Sequence, residues 1–149
     1  MKRLSIIAVI MAMAFLATDC TKEGPNGGNN SNYPEINTFV ETYFSQTSIK
    51  EVRLDDDLDE IDVKLADKTE ITFYLNYDWK KIDCEHSRKY PSVPTALVPA
   101  PITEYVTTNY PNNHIDNIEK LVNGGWNIEL DNEREIYFDQ DFNVVGQRQ

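Results

Sequence analysis

The chain has 149 residues, 40% of them hydrophobic, and a net charge of −11 from 25 acidic against 14 basic side chains. That length suits one packed domain, and the acidity excludes a nucleic-acid binder, which needs a basic face for phosphates. Two cysteines exclude a disulfide scaffold, and no apolar run continues for the ~20 residues of a membrane-spanning helix.

Residues 1–19 read as an export signal of the lipoprotein type. Lys2 and Arg3 precede an apolar stretch from Leu4 to Ala17, and L-A-T-D-C ends with Cys20 at the position that is acylated in lipoproteins. Asp19 stands where a small residue is usual, so a plain signal peptide that leaves Cys20 as a spare thiol is the alternative. Residues 20–32 are rich in Gly and Asn and almost free of apolar side chains, which predicts a flexible tether. Cleavage before Cys20 leaves 12 basic and 24 acidic residues, a net charge of −12. A body this acidic is repelled by anionic head groups, so membrane contact is expected through the lipid anchor only. The localisation that follows is the cell envelope, on either side of the outer membrane.

Beyond the tether the chain repeats itself. I-N-T-F-V-E-T-Y-F at 36–44 answers I-T-E-Y-V-T-T-N-Y at 102–110, I-D-V-K-L at 61–65 answers W-N-I-E-L at 126–130, and the segment 71–79 answers 134–142. Ile36, Phe39, Val40 and Tyr43 fall at helical spacing behind Pro34. Ile102, Tyr105 and Val106 begin the same stripe behind Pro101. Four strands are expected after each helix. Their cores are Ile49–Leu54, Ile61–Leu65, Ile71–Leu75 and Trp79–Cys84 in the first unit. In the second they are Ile115–Leu121, Trp126–Leu130, Ile136–Phe138 and Phe142–Gly146. Alternation of apolar and polar residues puts one sheet face on a core and the other in water. The expected fold is therefore α+β: a domain over 33–147 made of repeats 33–84 and 94–147, with two helices on one face of a mainly antiparallel sheet. Prolines 91, 94, 99 and 101 stiffen the connector between the repeats.

The acidic run D-D-D-L-D-E at 55–60 places Asp55, Asp57 and Asp59 at alternating positions, as a calcium loop does. Its sixth residue is Glu60 rather than Gly and its twelfth is Ala66, so a charged hairpin turn is the better reading. Cys84 and His86 with a remote His114 do not make a zinc set, and Cys84, alternating with Ile82, is expected to be a buried thiol. No serine lies in a nucleophile elbow and no Gly-rich loop follows a strand, so neither an enzyme nor a cofactor is expected. Tyr74 and Tyr137 alternate with apolar neighbours and should stand on the open face, near Thr72, Glu129 and Glu135. Aromatics on a rigid sheet are effective contact residues, and Trp79 could join them.

The strings P-I-T-E-Y-V-T-T-N-Y-P, G-W-N-I-E-L-D-N and E-I-Y-F-D resemble the PepSY-like family, also called beta-lactamase-inhibitor-like. Its members are small secreted proteins or lipoproteins with tandem αβββ repeats. The resemblance spans about residues 33–147 and implies one long curved sheet with an open face, but no activity. The functional expectation is a non-enzymatic exported lipoprotein whose open sheet face captures a protein, a basic one given the acidity of the body, in an inhibitor-like manner. The alternative is an envelope protein that binds a small ligand or a metal.

Overall fold

A computed structural model describes residues 32–55 and 57–149. The export signal, Cys20 and the tether up to residue 31 lie outside them. Helix α1 spans Pro34–Tyr43 and α2 spans Ala100–Asn109, each with a proline in its first turn, where a missing N–H costs nothing. Each helix is closed by an aromatic residue whose N–H returns to the last turn: Phe44 to the Val40 carbonyl at 2.8 Å, Tyr110 to that of Val106 at 2.7 Å. Strands β1 (Ile49–Asp55), β2 (Glu60–Leu65), β3 (Glu70–Tyr74) and β4 (Trp79–Asp83) follow α1. After α2 come β5 (Ile115–Lys120), β6 (Trp126–Leu130), β7 (Glu135–Phe138) and β8 (Val144–Arg148). All eight form one antiparallel sheet in chain order, with β4 paired to β5 across the middle.

The inner face follows from alternation. Val52, Val63, Ile71, Ile82, Ile118, Ile128 and Ile136 are successive cross-strand partners over seven strands, and all but Val52 are buried. Both helices cover this face. Phe39 of α1 meets Phe73 edge-on at 5.2 Å between ring centroids, and Tyr105 of α2 meets Phe138 at 5.4 Å. This is the expected α+β arrangement, with the helices on one side.

The hairpin ends depart from the expected boundaries. Leu75 lies in the β3–β4 turn, half exposed, and Leu121 belongs to the β5–β6 turn. The last strand begins at Val144 rather than Phe142. The Asp139 carboxylate accepts the N–H groups of Asp141 (2.9 Å) and Asn143 (2.8 Å), which holds the turn open and leaves Phe142 left-handed at φ 63°. Gly125 marks a close approach, because a Cβ there would stand 2.3 Å from the Phe138 carbonyl oxygen. The acidic run is a hairpin turn, as expected: Asp55 accepts the N–H groups of Asp57 and Leu58 at 3.2 and 3.3 Å.

The connector is part of the core rather than a spacer. It contains a short 3-10 helix, Thr95–Leu97, and buries Val93, Leu97 and Val98. Asp67, only 5% exposed in the β2–β3 turn, binds it to the sheet. Its carboxylate accepts from the Thr69 N–H and hydroxyl, both at 3.2 Å, and from the Ser87 hydroxyl at 2.8 Å. Its carbonyl takes the Arg88 N–H at 2.9 Å, and its own N–H donates to the Thr47 hydroxyl at 3.2 Å.

Cys84 lies just beyond β4 and is buried, its N–H donating to the Asp116 carbonyl at 2.8 Å. Burial, reinforced by the charges of Asp83, Asp67 and Asp116, pushes its thiol up to about 12. At pH 8 the reactive thiolate is then scarce, by a factor of roughly 1000 relative to an ordinary cysteine. A thiol reagent should therefore leave Cys84 intact in the native protein and modify it fully in denaturant. Rapid native labelling would show that the site opens.

Candidate functional site

The face away from the helices carries no covering element among the described residues, and its side chains form two rows that cross the whole sheet. Cross-strand partners in one row are Arg53, Asp62, Thr72, Lys81, Glu119, Asn127, Tyr137 and Gly146. In the other they are Glu51, Lys64, Glu70, Asp83, Asn117, Glu129, Glu135 and Arg148. Partners in an antiparallel pair project to the same side, so alternation in each strand converts directly into this polar surface.

The two flanks are closed by their own ion pairs. On one side Arg53 meets Asp62 at 2.8 Å, Lys64 meets Glu70, and Lys80 meets Glu60 at 2.6 Å. The first two pairs line a shallow depression of about 320 Å³ over β1–β3. On the other side Arg148 meets Glu135 at 2.6 Å, and the Tyr137 hydroxyl donates to Glu135 at 2.6 Å. Arg148, and then the tyrosine hydroxyl, hold the Glu135 carboxyl below its usual range.

Between the flanks the acids are in excess. Asp83, Glu129 and Glu135 stand in one row with Asn117 between the first two, and the Asn117 amide donates to Asp83 at 3.3 Å. Lys81 approaches Asp83 at 3.6 Å. Glu129 has no hydrogen bond or ion pair among the described residues. Burial raises its carboxyl above the usual range, the negative charges of Glu85, Glu135 and Asp83 add to the shift, and the Lys81 cation opposes it. In the neighbouring row the Asn127 side-chain oxygen is buried without a hydrogen-bond partner. Such a surface offers acceptors and negative charge and lacks the donors to satisfy them.

Tyr74 and Tyr137 both stand on this face, but the sheet does not bring them together. They lie on β3 and β7, four strand spacings or about 19 Å apart. Tyr74 is paired with Glu60 across β2–β3, and the Tyr137 ring covers Gly146 of the edge strand. The acidic centre lies between the two tyrosines. Trp79 is on the opposite face. A bulge between Thr72 and Phe73 makes it the partner of buried Phe73, and its ring packs 5.9 Å from that of Trp126 on the core side. Asp83 escapes a reading of the sequence, because only the β4–β5 pairing places it beside Asn117, which the β5–β6 hairpin sets against Glu129.

Among the described residues no group of three or more His, Cys, Asp or Glu is placed to hold a metal ion. The Asp55, Asp57 and Asp59 side chains belong to the hairpin turn, and no described helix is long and apolar enough to cross a membrane.

Residues 59–146 match the family model described as "Putative beta-lactamase-inhibitor-like, PepSY-like". No curated protein matches the chain. Among solved structures, a "putative calcium-regulated periplasmic protein" from Bacteroides thetaiotaomicron is 28% identical with a TM-score of 0.69, covering 78% of this chain and 89% of its own. A "putative periplasmic protein of unknown function" from Bacteroides vulgatus is also 28% identical, with a TM-score of 0.69, over 85% of this chain and 100% of its own.

Proposed function

The chain belongs to the PepSY-like family, and on that premise we propose that it is an exported envelope protein that binds a basic protein partner on the open face of its sheet. Export is supported by the signal-like residues 1–19 and by the periplasmic description of its structural neighbours. The observation that carries the binding role is the acidic centre: Glu129, which makes no ion pair among the described residues, stands between Asp83 and Glu135 on an uncovered sheet. A Lys or Arg from a partner would neutralise Glu129. Tyr74 and Tyr137 flank that centre as aromatic contact residues. Cys20 as the lipid attachment site would hold the body at the membrane. No catalytic role is assigned to any of these residues.

Glu129→Lys is expected to weaken capture of the partner from an envelope extract by at least about thirtyfold, as loss of a central charged contact does. Its melting temperature should hold or rise, since the substitution relieves like-charge crowding. Tyr74→Ala with Tyr137→Ala should weaken capture in the same way. Capture that survives all three changes would move the function to a small ligand or a metal. Calorimetry with calcium would then be the next experiment, given the description of the Bacteroides thetaiotaomicron neighbour.

A further inference from the structure

All five exposed large hydrophobic residues among those described lie towards one end of the sheet. Leu58, Leu75 and Val122 sit in the β1–β2, β3–β4 and β5–β6 turns, and Leu54 and Val145 stand beside turns at that same end. The hairpin turns at the other end, residues 66–69 and 131–134, are Ala-Asp-Lys-Thr and Asp-Asn-Glu-Arg.

The middle of this apolar end is distinct from its flanks. Leu75 is half exposed and Val122 fully exposed on two neighbouring turns. Between them lie Trp79 and Trp126, with the Lys120 ammonium 4.0 Å from the centre of the Trp79 ring. Phe142 stacks on Trp126 at 6.4 Å. Exposed aliphatics backed by tryptophans and a lysine are the side-chain set that settles at the head-group level of a bilayer. Of the acidic residues at this end, Asp55, Asp57, Asp59, Asp139 and Asp141 belong to the flanking turns, and Asp78, in the β3–β4 turn, is the one acid within the middle, where the Lys120 charge faces it. Residues 121–125, Leu-Val-Asn-Gly-Gly, carry no charge.

The chain enters the body at this end. Tyr33, one residue before α1, packs edge-on against Tyr77 of the β3–β4 turn at 6.4 Å. Only 12 residues separate Cys20 from Tyr33. A segment of that length reaches at most about 45 Å even when fully extended, so an anchored body would be held with this end nearest the lipid. We propose that the tip formed by Leu75, Trp79, Val122 and Trp126 docks on the lipid surface beneath the anchor, holding the open face upright and accessible. The proposal rests on Cys20 as the attachment site. It departs from contact through the acyl chain alone, because the acidity that repels lipid is concentrated on the sheet face and the outer turns.

Trp79 and Trp126 are the only tryptophans in the chain, so intrinsic fluorescence reads the tip directly. The full chain, processed in bacteria and purified from the envelope, would be mixed with vesicles of phosphatidylethanolamine and phosphatidylglycerol, with or without brominated phosphatidylcholine. The expected result is flotation with the vesicles, a blue shift of the emission, and quenching by the brominated lipid. A Leu75→Asp, Val122→Asp variant should still float and keep its melting temperature, while losing the shift and the quenching. Flotation of the wild type without quenching would overturn docking and leave the anchor in place. A chain that fails to float would overturn both. If the variant instead lost protein capture while the wild type showed no quenching, the tip would belong to the partner surface.

Discussion

Phe73→Ala is expected to cost about 3–5 kcal/mol of stability, and Phe138→Ala the same, with each moving a single unfolding transition. Both side chains are buried to within 1% exposure and each carries an aromatic ring of the helix above it. Truncation removes that contact and leaves a cavity under α1 or α2 that a sheet fixed by its ladder cannot collapse to fill. The two halves should respond as one because β4 and β5 are continuous strands of one sheet. Ile82 faces Ile118 with no exposure of either, and the Cys84 N–H donates to the Asp116 carbonyl at 2.8 Å. The connector reinforces the junction through buried Val93, Leu97 and Val98. Urea unfolding followed by tryptophan fluorescence and far-ultraviolet dichroism checks both points. Two separate transitions, with each variant moving only one, would show that the halves fold independently.

Asp67→Ala is expected to cost about 3 kcal/mol, although the residue touches neither helix and lies in a turn of polar sequence. Its carboxylate accepts from Thr69 twice and from Ser87, and alanine would leave the buried Thr69 donors and the half-buried Ser87 hydroxyl without that acceptor. The backbone links to Thr47 and Arg88 would survive, so the fold should persist at lower stability. Asp67→Asn keeps one acceptor oxygen and should lose about half as much. A midpoint of urea unfolding unchanged in Asp67→Ala would mean that the connector is held by apolar packing alone.

How far these features could be read from the sequence differs between residues. The stripe Ile36, Phe39, Val40 and the alternation Ile61, Val63, Leu65 placed α1 and β2 with the right faces inward, since helical and strand periods are local properties of the chain. Tyr74 and Tyr137 were assigned to the open face by the same alternation. Trp79 was not legible, because one extra residue in the β4 strand, Lys80, turns it to the core side. The start of β8 shifted by two residues because the Asp139 side chain competes for backbone N–H groups, a choice that apolar patterning does not record.

The amino-acid sequence by itself therefore determined an acidic body, its signal-like leader, the type of nearly every element and the core-facing side of the strands, apart from the bulged start of β4. Periodicity and composition carry that information within about ten residues. The tertiary structure alone decided which strands of the two halves meet. Asp83 and Asn117 are 34 positions apart, separated by a connector and a helix, and their register is set by packing Ile82 against Ile118. That one pairing adds Asp83 to the Asn117, Glu129 and Glu135 row that the β5–β6 and β6–β7 hairpins form locally. The same long-range packing lays the connector against Asp67 and gathers Trp79 and Trp126 at one end of the sheet. Contacts of this kind gain their free energy only after the chain has closed the loop between them, so no local pattern announces them.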